Sequence, residues 1–313
     1  AAIDNAIAGA TIVVSDGTYS ENILIDKPLS LTSENGSDTT LITAANENQH
    51  VVMVSAANVS ISGFDISGAT TYYKAGIYFA SGSHYGKASD NKCGYDDAHR
   101  NYIGISSFES DYLEISNNEC NHWGPLGIHL EASIGSKVIA NTVIRHNIGG
   151  IVLDNCDTCV VSDNYLLGNS TGIRVIAGKD NIITKNSSRS NTDIGIEIKS
   201  SGHVVISHNE VRTNNNNGIY INNSSTSSIL NNSVNFSGVG IYLESSGISE
   251  IMENTIENSG SSGIAVYSTN NSHVSDNTLI SNDYGIYLNS SSNVQVTDNV
   301  LSRNDSGKKF YHC

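Results

Sequence analysis

The sequence predicts an all-β fold, a parallel β-helix in which short strands wind through stacked coils, and two repeating columns of residues predict it. The first column is the phrase Gly-Ile-x-aliphatic, which returns every 22 or 23 residues. Its glycines are Gly127, Gly150, Gly172, Gly195, Gly218, Gly240, Gly263 and Gly285. The second column is an asparagine with the same spacing, found at Asn118, Asn141, Asn164, Asn186, Asn209, Asn232, Asn254, Asn277 and Asn299. Because two independent columns share one period, we expect stacked repeat units.

Each repeat contains three short strand patterns. After the glycine, isoleucine and a second aliphatic residue flank a position that is mostly polar or aromatic, which is the alternation of a strand. Further aliphatic residues come three positions before each asparagine and two positions after it, where Cys120 and Ser188 are the exceptions. Wound as one coil, the three strands pair with the coils above and below and give three parallel sheets. We count about 12 coils, so the rod would be roughly 60 Å long at ~4.8 Å per coil.

The asparagine column is expected to mark a corner of each coil. Asparagine tolerates the left-handed backbone conformation that a tight corner needs. Its side-chain amide can also bond to the equivalent amide one coil away, as in stacked β-structures. The sequence therefore predicts a ladder of stacked asparagines.

The whole chain, residues 1–313, is predicted to be a single domain with three segments outside the regular stack. Residues 1–9 are expected to form a short capping helix over the first coil. One repeat swells to 28 residues, and we predict that residues 81–102 form a loop ejected from the stack. Residues 305–313 are expected to be a C-terminal tail without a cap, which would leave unpaired strand edges.

Composition limits the partners. The net charge of −15, from 31 acidic and 16 basic residues, argues against nucleic acid, because phosphate binding needs a basic face. No apolar run is long enough to span a membrane. The sequence shows no cofactor motif and no complete set of metal ligands, so we predict neither a cofactor nor a metal ion.

The opening Ile12-Val13-Val14-Ser15-Asp16-Gly17-Thr18-Tyr19, the run Leu29-Ser30-Leu31 and the many Gly-Ile-x-aliphatic…Ser-x-Asn units resemble a known group. It is the right-handed parallel β-helix repeat family of carbohydrate-binding and sugar-hydrolase domains, the periplasmic maturation protein of nitrous oxide reductase and many archaeal cell-surface proteins. The resemblance covers nearly the whole chain and implies a right-handed coil. The Asn/Ser/Gly-rich surface and acidic balance look most like archaeal envelope proteins, including methanogen sheath and surface-layer proteins, which implies an extracellular location.

Chemistry on a β-helix is expected on the outer face of a sheet. Glu131 and Asp154 occupy the same position in neighbouring coils, with His129 beside them and Arg174 nearby. Such carboxylates could do acid and base work on a glycoside, and a solvated polar face is the alternative. Arg174 and Glu197 are expected to form a surface ion pair of little energetic weight. With no complete catalytic set, enzyme activity stays open and is not favoured.

The chain has 5 cysteines. Cys93 and Cys120 each follow an asparagine by two residues in successive coils, so they could stack and form a disulfide or remain two inert buried thiols. Cys156 and Cys159 form a Cys-x-x-Cys, for which a local disulfide or links to a neighbour are favoured over a redox or zinc site. Cys313 is then left over, which suggests an intermolecular bond.

Two functions follow from these patterns. The first is a structural cell-envelope protein that self-assembles through strand edges and disulfides into an extracellular sheath or surface layer, with amyloid-like stacking and itself as the partner. The alternative is a secreted carbohydrate-binding or polysaccharide-cleaving β-helix that contacts cell-surface glycans. Its outward tyrosines, which could stack on sugar rings or pack between protomers, are Tyr78, Tyr220, Tyr242 and Tyr287.

Overall fold

The computed structural model describes residues 2–94, 99–121 and 124–311. It confirms the predicted all-β, right-handed parallel β-helix with a short N-terminal helix. That helix is Ala2–Asn5, shorter than the predicted residues 1–9, and it has no buried residue. The described residues contain 13 strands at the Gly-Ile position, compared with the predicted 12 or so coils. The chain divides into two compact units, residues 1–160 and 161–313.

Three kinds of strand follow one another in each coil, and we name the sheets they build after their place in the coil. The leading sheet holds the strand before the column asparagine, the middle sheet holds the strand after it, and the Gly-Ile sheet holds the strand with the glycine column. Neighbouring strands within each sheet are parallel, because each pair joins equivalent positions of successive coils.

The first unit contains six strands of the Gly-Ile sheet. They are Ile23–Ile25, Val52–Val54, Ala75–Phe79, Ile103–Phe108, Leu126–Glu131 and Gly149–Asp154. The leading sheet contains Ala10–Val14, Leu29–Ser33, Ser60–Ser62, Lys87–Ser89, Glu114–Ser116 and Lys137–Ile139. The middle sheet contains a first group of strands, Gly17–Ser20, Thr40–Thr43 and Asp65–Ser67, and a second group, Glu119–Asn121 and Thr142–Ile144. Single β-bridges at Lys92 connect the two groups, so the middle sheet continues beside the other two sheets.

The second unit contains seven strands of the Gly-Ile sheet. They are Thr171–Ile176, Ile194–Lys199, Asn217–Asn222, Val239–Glu244, Ser262–Tyr267, Tyr284–Asn289 and Ser306–Tyr311. The leading sheet has Ile182–Thr184, Val205–Ser207, Ser228–Leu230, Glu250–Met252, His273–Ser275 and Gln295–Thr297, and Val160–Ser162 lies at the boundary in the sequence. The middle sheet has Tyr165–Leu167, Ser187–Arg189, Glu210–Arg212, Ser233–Asn235, Thr255–Glu257, Thr278–Ile280 and Val300–Ser302.

The core lies inside the coils and consists of the aliphatic columns. Ile196, Ile219 and Ile241 are register partners in successive coils and are fully buried. Each such side chain contributes roughly 1.5–3 kcal/mol by leaving water. The glycine before each isoleucine is needed because atoms of the neighbouring coil occupy the space that a Cβ atom would take. A Cβ on Gly218 would lie 2.4 Å from Val234 Cγ1 and 2.6 Å from Gly240 O.

The column asparagines form hydrogen-bonded ladders within each unit. In the second unit, Asn209 donates from both its main-chain N–H and its side-chain Nδ2 to Asn232 Oδ1, each at 2.9 Å. These asparagines are buried and do not themselves adopt the left-handed conformation. The residue before each one does, such as His208 with φ 57° and Asn231 with φ 55°. The predicted corner is therefore displaced by one residue, because the asparagine points inward to satisfy main-chain groups.

Two segments differ from the prediction. Within residues 81–102, Lys87–Ser89 is a strand of the leading sheet, with Ala88 between Ile61 and Ile115 as its register partners. That part of the segment is therefore in the stack, and residues 95–98 lie outside the described residues. Ser306–Tyr311, expected to be tail, pairs with Tyr284–Asn289 as a further strand. Among the described residues, no helix is long and apolar enough to cross a membrane.

Candidate functional site

A row of aromatic rings covers the outer face of the Gly-Ile sheet in the second unit. We call it the tyrosine row, and its members are Tyr220, Tyr242, Tyr267, Tyr287 and Tyr311. They come from five successive coils at positions +2 or +4 after the glycine, which point outward. Successive ring centroids are 5.2, 5.2, 5.3 and 5.8 Å apart. Because each coil adds one ring, the face presents a regular, partly exposed apolar surface.

Three hydroxyls of the tyrosine row hold their protons more tightly than usual. Tyr220 donates to Glu244 Oε2 at 2.5 Å, and Asn222 Nδ2 donates to the same oxygen at 3.1 Å. Burial, with Glu244 as a further cause, raises the pKa of Tyr220. Burial raises the pKa of Tyr242, and burial and a hydrogen bond with Tyr287 raise the pKa of Tyr267 to about 12. These three side chains are therefore neutral phenols at neutral pH, and one of them lies against a carboxylate.

A buried carboxylate with two partly exposed cations lies at one end of the row. Glu197 is 1% exposed and accepts from Arg174 Nε at 2.5 Å and from Lys199 Nζ at 2.6 Å. The expectation of a surface ion pair is therefore wrong, since the carboxylate is removed from water. Taking away one partner of such a cluster typically costs about 3–5 kcal/mol. Arg174 thus holds Glu197, whereas the other proposed catalytic residues belong to the first unit.

Two grooves follow the tyrosine row. One, of about 460 Å³, is lined by Glu197 and Tyr220 among others, and it ends at Ser261, Ser262 and Tyr267. The same three residues line the second groove, of about 430 Å³, which continues towards Lys309. The two grooves therefore adjoin along the stack and form one extended trough.

Lys309 lies at the far end of this trough. Its Nζ donates to Tyr284 OH at 3.0 Å and sits 4.7 Å from the centroid of that ring and 5.0 Å from the centroid of Tyr311. Hydrogen bonds with Tyr311 and Tyr284 raise the pKa of Lys309, so its charge persists at neutral pH. The sequence interpretation missed Lys309, Tyr267, Tyr284 and Tyr311. Gly307, which lies 22 residues after Gly285, was the signal that could have found two of them.

Three of the predicted catalytic residues share the outer face in the first unit. Glu131 and Asp154 are register partners in neighbouring strands, and His129 is the partner of Val152. Burial, then the charges of Asp154 and Glu109, raise the pKa of Glu131. Burial lowers the pKa of His129 against an opposing effect of Asp154, so this imidazole is neutral at pH 7. The pair is therefore one carboxyl that holds its proton more tightly than usual beside a second carboxyl.

The four described cysteines are buried thiols without a disulfide, which for Cys93 and Cys120 is one of the two alternatives that the sequence left open. The predicted pairs are nevertheless neighbours: a hydrogen bond with Cys120 and burial raise the pKa of Cys93, and a hydrogen bond with Cys159 and burial raise the pKa of Cys156. Cys156 Sγ also donates to Leu130 O at 3.3 Å. Cys93 and Cys156 are therefore held as thiols, which react less readily than thiolates, whereas the hydrogen bond with Cys156 lowers the pKa of Cys159. Cys313 lies outside the described residues.

Comparison with known proteins gives one family. The model described as "Periplasmic copper-binding protein (NosD)" matches residues 3–192, 127–259 and 179–312. No curated protein sequence matches the chain.

Several solved structures share the fold. The Dettilon tailspike protein (gp208) has a TM-score of 0.65 at 16% identity, over 99% of this chain and 63% of the tailspike, so this chain spans less than two thirds of that protein. The Azotobacter vinelandii mannuronan C-5 epimerase AlgE6 A-module has a TM-score of 0.69 at 14% identity, over 97% and 90% of the two chains. A DFA-IIIase from Arthrobacter chlorophenolicus A6 has a TM-score of 0.63 at 14% identity, over 86% and 74%. At these identities the likeness establishes the fold alone.

The donors among the described residues do not fit a copper centre. Copper is held by soft or imidazole ligands from cysteine, methionine and histidine. In the part of the chain that the structure describes, no three His, Cys, Asp or Glu side chains converge on one point. The ring nitrogens of His146 face the carbonyl oxygens of Gly124 and Cys120 at 3.1 and 2.9 Å. No copper chemistry is therefore derived from these residues.

Proposed function

The chain belongs to the NosD family, described as periplasmic copper-binding proteins, and from this premise we propose that it is an exported β-helix that binds polysaccharide. The polysaccharide lies along the trough beside the tyrosine row. An exported location agrees with the periplasmic description of the family.

The tyrosine row is the observation that carries this proposal. A sugar ring has an apolar C–H face and a hydroxyl rim, and a tyrosine offers a flat apolar ring with a polar tip. The row repeats this combination once per coil, with centroids between 5.2 and 5.8 Å apart. A polymer of sugars also repeats along its axis, so a periodic surface can hold several of its residues at once.

The groups beside the row supply the polar half of such a site. Glu244 accepts hydrogen bonds, and Ser261, Ser262 and Asn289 line the trough next to the rings. Ligand sites typically combine apolar and aromatic walls with a few polar groups that fix orientation. One protein of the same fold is named for mannuronan, a polysaccharide, which supports this choice of ligand class.

The comparisons do not support self-assembly into a sheath or surface layer. That hypothesis depended on unpaired strand edges and on the leftover Cys313, which lies outside the described residues. The four described cysteines form no disulfide, and residues 306–311 pair with Tyr284–Asn289 instead of forming a tail. We therefore propose glycan binding in its place.

The test is binding of Tyr242→Ala and Tyr287→Ala proteins to a panel of polysaccharides by affinity electrophoresis and calorimetry. Each substitution removes one stacking surface from the middle of the trough, and we expect about tenfold weaker binding per ring. Tyr112→Ala is the matched control, because Tyr112 is 50% exposed, stacks on Tyr85 in the first unit and is not among the residues that line the trough. Equal affinity of all three variants, or no binding by the unchanged protein, would refute the proposal.

Polysaccharide cleavage is a second candidate, favoured by the raised pKa of Glu131 beside Asp154. A carboxyl that keeps its proton can serve as general acid while its neighbour is ionised. The check is the release of reducing ends by the unchanged protein and by Glu131→Gln, with the exposed Glu114→Gln as control. Activity that survives in Glu131→Gln would remove Glu131 from the mechanism.

A further inference from the structure

We propose that the Lys309 end of the trough is a subsite for the carboxylate of an acidic sugar. Lys309 and Tyr284 hold the carboxylate, and the rings of Tyr287 and Tyr311 support the sugar that carries it. This inference rests on the proposed function, since the rest of the polymer is held by the tyrosine row.

Lys309 differs from the other cations on this face. Arg174 and Lys199 are both directed at the single carboxylate of Glu197. The described side chains bonded to Lys309 Nζ are the tyrosines Tyr284 and Tyr311, and none of them is a carboxylate. The ammonium is therefore held in place by neutral groups and keeps its charge for a ligand.

The geometry leaves two donors side by side. Lys309 Nζ donates to Tyr284 OH at 3.0 Å, so the phenol oxygen uses its acceptor capacity on the ammonium. The phenol proton, and the remaining ammonium protons, can then be donated elsewhere. A carboxylate has two oxygens that accept such bonds together, and bonds to charged groups are the stronger ones.

The space around these donors suits a sugar residue. The groove of about 430 Å³ is lined by Ser261, Ser262 and Asn289 in addition to the tyrosines and Lys309. This volume falls in the range of small-molecule sites, roughly 300–1,000 Å³. The serine and asparagine side chains can bond the hydroxyls of the sugar while the carboxylate is held at Lys309.

The overall charge makes a local site necessary. With a net charge of −15 the protein repels an acidic polymer at long range. A preference for acidic sugars therefore has to come from a built pair of donors and not from the general field. Its salt dependence should be small, because contacts at hydrogen-bond distance are screened less than separated charges.

The experiment compares ligands that differ in the carboxylate. Calorimetry measures binding of an oligogalacturonate against its methyl ester, and of an oligomannuronate against the corresponding neutral oligomannose. We expect the unchanged protein to prefer the acidic member of at least one pair by about tenfold, the strength of one or two charge-assisted bonds. Lys309→Met should abolish the preference and leave affinity for the neutral member within about twofold, while Lys309→Arg should retain part of it.

Two further variants complete the design. Tyr284→Phe removes one donor and should reduce the preference while the ring remains. Lys137→Met is the control, because Lys137 is an exposed lysine on the leading sheet of the first unit. The unfolding midpoint of each variant shows that it is folded.

The outcomes separate the two proposals. Equal binding of acidic and neutral members, with Lys309→Met unchanged, would overturn the subsite and leave glycan binding intact. A preference that persists in Lys309→Met would also overturn it, because the carboxylate would then be held elsewhere. Binding of no member of either pair would overturn the subsite together with the proposed function.

Discussion

Replacing Gly218 by alanine tests the reason for the glycine column. The new Cβ would lie 2.4 Å from Val234 Cγ1 and 2.6 Å from Gly240 O. Carbon atoms in contact prefer about 3.5–4.0 Å, so Val234 and the neighbouring coil would each have to move by roughly 1 Å. Overpacking of this kind costs about 1–3 kcal/mol, against which alanine gains about 0.4–1 kcal/mol by restricting the unfolded chain.

We therefore expect Gly218→Ala to lower the free energy of unfolding by about 2 kcal/mol, measured by urea denaturation followed by circular dichroism. Gly260→Ala is the matched control in the same unit, because a Cβ there meets no atom within 4 Å. That variant should be as stable as the unchanged protein or up to about 1 kcal/mol more stable.

A double mutant identifies which neighbour causes the loss. In a Val234→Ala background the Cγ1 contact disappears while the Gly240 O contact remains, so the penalty of Gly218→Ala should shrink by about 1 kcal/mol and not vanish. Equal stability of the Gly218→Ala and Gly260→Ala proteins would refute the argument that close approach of coils requires this glycine.

Three further predictions concern ladders, pH and thiols. Asn232→Ala removes the acceptor for two donors at 2.9 Å and should cost about 3 kcal/mol, whereas the exposed Asn215→Ala should stay within about 0.5 kcal/mol in the same urea titration. Burial, and next the charge of Lys74, lower the pKa of His50 in the folded chain to about 4. As the pH falls, the unfolded chain therefore takes up a proton at His50 before the folded chain does. The free energy of unfolding should therefore fall as the pH is lowered from about 6.5 to 4. His50→Gln should remove this dependence on pH, whereas a substitution that merely weakens the fold would lower the free energy of unfolding equally at every pH. Because the four described cysteines form no disulfide, the unreduced, denatured protein should titrate at least four thiols, and a reductant should leave the unfolding midpoint unchanged. A midpoint that falls with reductant would restore the disulfide hypothesis.

The fold could be predicted from the sequence because a solenoid repeats one local pattern. Each coil contacts mainly its neighbours, so a residue type needed once is needed at every repeat. The glycine and asparagine columns are direct consequences of that rule. A second polar column kept the same spacing and was still missed. It is bonded from Asn169 through Asn191 to Asn214 and from Ser259 through Asn282 to Asn304, with Ser237 at the same spacing between these stretches. Its mixture of two residue types concealed the column.

The outward face was only partly predictable. Tyr220, Tyr242 and Tyr287 all follow the glycine by two residues, so strand alternation placed them correctly on one surface. Tyr267 and Tyr311 follow by four, and Tyr311 was assigned to a tail. The row exists because both positions point to the same side of the sheet, which single columns do not reveal.

The sequence by itself determined the periodic interior. Each coil has to bury one aliphatic set and one asparagine, and three short strands achieve this by stacking on the equivalent strands of the next coil. Only the tertiary structure decided the environment of each irregular residue. Glu197 is buried because Arg174 and Lys199 lie against it, and Cys156 is held as a thiol because Cys159 and a main-chain carbonyl surround it. Lys309 is available to a ligand because its neighbours are phenols and not carboxylates. Each environment combines a neighbour in the same coil with a contact from another coil, about 22 residues away in the chain, and the second contact is not encoded by any local pattern.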